Sequence, residues 1–120
     1  IRHWPTPIVF SGWEIGKEIM TGAELKGVPE TSPVRRAYQL YNGLKDRESW
    51  DQTAVLYAVR GLDGGLNDYW DVEAKGHLHV NDDGSNQWRK SPGKAHSYLV
   101  RKMEPKKIAA RIEELMLRQP

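Results

Sequence analysis

The sequence predicts an α/β class: part of an open, mostly parallel sheet with flanking helices and a small antiparallel meander. Three observations predict it. Pro7-Ile8-Val9-Phe10 is a continuous apolar run, rich in β-branched residues and stopped by Ser11-Gly12, which suits a strand buried in a parallel sheet. Ser32-Pro33 and Glu104-Pro105 each open a stretch whose apolar residues recur at helical spacing. Between residues 69 and 100, short alternating segments separated by turn residues suit antiparallel strands.

Taken in order, the first strand needs neighbours that the rest of the chain hardly supplies, so most of a parallel sheet is expected to lie outside these 120 residues. Trp13-Glu14-Ile15-Gly16 follows that strand. Ligands of open α/β sheets sit beyond the carboxyl ends of strands, which places Trp13 and Glu14 near any such crevice. The plainer alternative is that Trp13 packs over the strand end and Glu14 begins a solvated turn. Gly16 to Leu25 is a weak helical stretch broken by Gly22, and Lys26 to Thr31 is a loop.

Ser32 then serves as N-cap and Pro33 as first helical residue, with Gly43 as the stop. Val34, Ala37, Tyr38 and Tyr41 form its apolar stripe, with Leu40 beside it. Tyr38 and Tyr41 are either core residues with wet hydroxyls or walls of a substrate pocket. Lys45 to Glu48 is a charged, solvated loop.

Ser49 caps a further helix in which Val55, Leu56 and Val59 recur and Gly61 marks the end. Asp51 falls in its first turn, where an acid suits the positive end of the helix dipole. Capping and dipole matching explain it; a metal ligand at a loop–helix junction is the sharper alternative.

Residues 62–68 read as a loop. Tyr69–Glu73, His77–Val80, Gln87–Arg89 and Ser97–Val100 read as the strands of the meander, with Asp83-Gly84 at a turn. His77 and His79 share a strand face and would both reach a metal, but no third ligand stands at matching spacing. Asp82 and Asp83 lack the spaced oxygens of a calcium loop, and turn chemistry explains them. The last helix carries Ile108, Ile112, Leu115 and Met116 on one face and Lys107, Arg111, Glu113 and Glu114 on the other; it should dock on the sheet.

Bulk properties narrow the function. The 18 basic and 16 acidic residues leave a net charge of only +2 and form no basic block, so no nucleic-acid partner is implied. The absence of cysteine removes thiolate nucleophiles, disulfides and thiolate zinc sites, and leaves the compartment, cytoplasmic or exported, open. No apolar run approaches the ~18 residues of a membrane span, and no signal peptide is visible. Opening at Ile1 rather than methionine suggests a processed or truncated product.

Several stretches, in order, resemble one known family. They are Pro7 to Gly16, Ser32-Pro33-Val34-Arg35, Ser49-Trp50-Asp51-Gln52-Thr53 running on to Gly61, Asp83-Gly84-Ser85-Asn86 with Trp88, and the terminal helix. Together they resemble the C-terminal part of the inosine/uridine-preferring nucleoside hydrolases, over nearly the whole chain. The resemblance implies a nucleoside-hydrolase-like α/β domain whose N-terminal part is missing here. It implies a calcium-dependent reaction of a ribonucleoside with water, giving ribose and base through an oxocarbenium-like transition state.

On that resemblance Asp51 is one calcium ligand. The other calcium ligands and the general base belong to an aspartate-rich N-terminal signature that this sequence does not contain. Many members carry a histidine, linked with leaving-group activation, where this chain has Trp50. An indole stacks on a base but is no general acid. Trp50, Trp13, Tyr38 and Tyr41 are the implied substrate-binding residues, and no residue of the chain is assigned a catalytic role. The implied partners are a nucleoside and either the missing N-terminal half or a further copy of the chain. The 120 residues alone are not expected to be active. The alternatives are a non-catalytic module that binds a nucleoside, sugar or protein, and a structural fragment that associates through an open sheet edge.

Overall fold

The computed structural model describes Ile1 and residues 3–59, 69–91 and 94–118. Seven strands and four helices alternate along it: β1 (Ile8–Phe10), α1 (Trp13–Lys17), β2 (Met20–Thr21), α2 (Pro33–Asn42), β3 (Arg47–Glu48), α3 (Trp50–Val59), β4 (Trp70–Glu73), β5 (His77–Val80), β6 (Asn86–Arg89), β7 (His96–Arg101) and α4 (Pro105–Leu117). A 3₁₀ turn spans Ala23–Gly27. No helix among the described residues is long and apolar enough to cross a membrane.

The class is mixed α/β, as expected, but the sheet differs from the expectation. Among the described residues β1 runs parallel to β7, while β2–β3, β4–β7 and β5–β6 are antiparallel pairs. An open, mostly parallel sheet is therefore not what these strands form. The reason lies in their side chains: only β1 is apolar throughout, whereas β4, β5 and β6 alternate and suit sheets with one wet face. The four-strand meander is also divided. β4 pairs directly with β7, from Trp70 opposite Arg101 to Glu73 opposite Tyr98, and β5–β6 forms a separate ribbon.

The expected helix over 16–25 is replaced by the end of α1, β2 and the 3₁₀ turn. Gly22 at φ +130° diverts the chain, and Thr21 pairs with Arg47 inside what reads as a solvated loop. Local signals are followed closely at α2. Ser32 Oγ accepts from the Arg35 N–H (3.4 Å), Pro33 occupies the first turn and Gly43 closes the helix at φ +69°. Its predicted stripe, however, is mostly exposed: only Tyr38 is buried, with Leu40 and Tyr41 among the most exposed apolar side chains. The Gly61 stop of α3 lies outside the described residues.

The core joins helices to the sheet of β1, β7 and β4. Ile15 and Ile19, Leu56 of α3, Trp70 and Leu99 of the sheet, and Ile108 and Ile112 of α4 form one buried cluster, so α4 shares its core with the sheet. Each fully buried aliphatic here contributes about 1.5–3 kcal/mol. A smaller cluster holds Leu25, Val28, Tyr38 and Leu44. Not all of the α4 polar side is simply solvated: Glu113 Oε1 accepts from the Gly22 N–H at 2.9 Å, tying α4 to the β2 turn.

The β5–β6 ribbon meets the sheet through Trp88, whose ring lies against Tyr98 of β7, and through the buried His96. His96 Nδ1 accepts from the Leu78 N–H at 3.2 Å, and its ring meets Phe10 edge-on at 5.4 Å. Burial, then the nearby Lys94 and His77, hold the His96 pKa below its ordinary value. The unfolded chain thus binds a proton more readily than the folded one. The stability from neutral His96 is complete above about pH 6.5 and declines as pH falls through that value. Urea unfolding should show a midpoint that drops between about pH 7.5 and pH 5.5. His96→Gln should flatten that slope; an equal slope in the variant would remove His96 from the explanation.

Candidate functional site

The start of α3 is built against the end of α1. Gly16 is buried where the two meet: a Cβ there would lie 2.6 Å from Trp50 Cα and Cδ1. The Gly16 carbonyl accepts from Ile19 N–H (3.2 Å) and Ser49 N–H (3.1 Å), ending α1 and seating the residue before α3. Trp50 then folds back, its indole N–H donating to the Trp13 carbonyl at 2.8 Å. Trp13 and Trp50, 37 residues apart, are thereby brought together. The Trp13 ring itself is 62% exposed and carries the Lys17 ammonium at 4.3 Å.

Behind this junction runs a chain of hydroxyls. Ser49 Oγ donates to the Arg47 carbonyl at 3.1 Å and so accepts from Thr21 Oγ1 at 2.7 Å. Thr21 in turn accepts from the Tyr38 hydroxyl at 3.3 Å, and Gln52 Nε2 donates to that hydroxyl. Ser49, Thr21 and Tyr38 are buried, and Gln52 Oε1 is left buried without a partner. The Ser49 side chain is thus engaged with β2 and β3, while its carbonyl accepts from Thr53 N–H at 3.1 Å. Fixing the first turn of α3 from behind is what this network can do.

Asp51 is exposed in that first turn. Its carboxylate makes no hydrogen bond or ion pair with the described residues. It stands, with Gln52, on a groove of about 410 Å³ otherwise lined by apolar side chains of α2, α3 and α4, including Val34, Val55 and Ile112. The other sequence candidates lie elsewhere. Tyr38 points its hydroxyl inward to the network, and Tyr41 is 67% exposed with the Arg47 guanidinium 4.3 Å above its ring.

Calcium takes six to eight oxygen ligands. Among the described residues no three His, Asp or Glu side chains gather as a metal site. Asp51 is thus at most one oxygen donor of such a set. His77 Nδ1 contacts the Ser91 carbonyl at 3.1 Å. Asp83 Oδ1 accepts from the Ser85 N–H (2.9 Å) and hydroxyl (2.6 Å), which lowers its pKa and accounts for it as turn chemistry.

A second concave feature opens at the carboxyl end of β1. Phe10, Ser11, Trp13 and Glu14, with Trp88 of β6 and Tyr98 of β7, line a space of about 500 Å³. Sequence reasoning reached Trp13 and Glu14 through their place after a strand. It missed Ser11, Trp88 and Tyr98 as site residues, whose sequence signals are only those of a strand end and alternating strands. Gln52 was also missed, although it directly follows Asp51. Comparison with family models, with curated proteins and with solved structures finds no match to the chain.

Proposed function

We propose that this chain is part of a calcium-dependent nucleoside N-glycosidase, to which it contributes one metal ligand and one wall of the pocket. The observation that carries the reading is the condition of Asp51. An acid in the first turn matches the helix dipole without any hydrogen bond; the Asp51 carboxylate is exposed and engages no described residue, so its oxygens are open to a ligand as well. Its backbone is meanwhile held by the Gly16 contact and the buried hydroxyl chain, so a ligand to the carboxylate would meet a preset geometry. Exposed apolar side chains flank it, Val55 at 60% and Val34 at 37%, a surface of the kind that packs against the rest of a larger domain.

In this reading calcium, held mainly by oxygens from outside these residues, would orient the attacking water. Trp50 offers an indole face for a base, and Trp13 backs it through the carbonyl contact. Tyr38 acts from behind, through Gln52, and Tyr41 offers an exposed ring near Arg47. Trp50 donates no catalytic proton, so leaving-group activation falls to another residue.

The test uses a longer polypeptide carrying this chain behind an aspartate-rich half. It should release ribose from nucleosides only with calcium. Asp51→Asn should raise the calcium needed for half-maximal rate and lower turnover at limiting calcium, together, by about tenfold or more. Unchanged turnover at limiting calcium would sink the assignment of Asp51.

A further inference from the structure

We propose that the cleft at the carboxyl end of β1 is a saccharide-binding site, separate from the groove at Asp51. It does not rest on the reading of Asp51. The first support is its aromatic walls. Trp88 and Tyr98 both line the cleft and meet edge-on at 4.7 Å and an interplanar angle of 76°. Trp88 is fixed by its surroundings: Gly76, at φ +154°, comes so close that a Cβ would lie 2.6 Å from the indole Nε1. Trp13 also lines the cleft and is largely exposed.

The second support is the polar set between those walls. Ser11 Oγ is buried and has no hydrogen-bond partner. Such a hydroxyl costs about 1–3 kcal/mol unless something pairs with it; having almost no accessible surface, it meets a ligand hydroxyl once its side chain turns towards the cleft. The Glu14 carboxylate curls back over Gly12, into the space a Gly12 Cβ would take. Asn86 and Gln87 stand on the rim.

A sugar ring answers to both halves of this description. One face is C–H and packs on an aromatic ring; its edge carries hydroxyls that donate to a carboxylate and exchange bonds with Ser and amide groups. The volume of about 500 Å³ admits one or two rings. The carboxylate and aromatic walls also suit a quaternary ammonium. The unpaired hydroxyl and rim amides favour the sugar, because an ammonium without N–H or O–H groups leaves them unanswered.

The experiment titrates the chain, in calcium-free buffer, with D-ribose, D-glucose and D-galactose, and separately with choline, following the indole N–H resonances. The expected result is a saturable shift of the Trp13 and Trp88 signals with at least one sugar, at millimolar concentrations. Glu14→Gln and Ser11→Ala, both expected to fold, should each weaken that binding by about threefold to tenfold. Trp88→Ala should abolish it, with a thermal melt to show whether the variant is folded. No saturable shift with any sugar up to about 50 mM, shifts with choline alone, or equal sugar affinity in Glu14→Gln and Ser11→Ala would each overturn the proposal. Since no calcium is present, none of these outcomes bears on Asp51.

Discussion

Gly16→Ala should lower the stability of the chain by about 2 kcal/mol or more, measured as a lower urea midpoint with an unchanged slope. On local grounds the substitution should help, since alanine is the better helix residue by about 1 kcal/mol and restricts the unfolded chain. The sign is reversed by packing. The new methyl would lie 2.6 Å from Trp50 Cα and 2.7 Å from its backbone nitrogen. Backbone cannot swing aside as a side-chain tip can, so α1 and α3 must move apart. That separation also strains the Ser49 N–H bond to the Gly16 carbonyl and the Trp50 indole bond to Trp13. The Trp50 indole resonance should therefore shift in the variant even where it remains folded. Gly27→Ala is the comparison, because nothing lies within 4 Å of a Cβ there. Equal midpoints for the two variants would mean that the α1–α3 contact is not close-packed.

Ile108→Ala should cost about 2–5 kcal/mol, a large part of the about 5–15 kcal/mol that holds an ordinary domain. Ile108 is fully buried and belongs to the cluster that joins α4 to Trp70, Leu99, Ile19 and Leu56. Removing its outer carbons loses their transfer energy and leaves a cavity between a helix and a sheet, neither of which closes easily over it. Val55→Ala, on a side chain 60% exposed, should change stability by no more than about 0.5 kcal/mol. Circular dichroism in urea distinguishes the two. A loss below about 1 kcal/mol at Ile108 would show that α4 does not share the core.

Features that depend on neighbours a few residues away are legible in the chain itself. The bounds of α2 follow from Ser32, Pro33 and Gly43, each acting on backbone within one turn. The start of α4 follows from Pro105, β5 from the alternation of His77 to Val80, and the turn after it from Asp83 bonding to Ser85. Asp51 was legible as a first-turn acid for the same reason, and Trp13 and Glu14 as residues beyond a strand end.

The remaining features depend on surfaces brought together across long stretches of chain. Two-residue strands such as β2 and β3 have no period to read, and exist because Thr21 meets Arg47. The stripe of α2 has helical spacing, yet only Tyr38 finds something to pack on. Whether β7 lies beside β6 or between β1 and β4 is a choice of partner that alternation leaves open. The candidate sites show this most clearly. The Trp13–Trp50 contact spans 37 residues, and the buried bond between Thr21 and Ser49 spans 28. The cleft beyond β1 needs Trp88 and Tyr98 from far down the chain. Caps and alternation act through one or two local bonds, whereas a pocket is the space left when distant surfaces have packed.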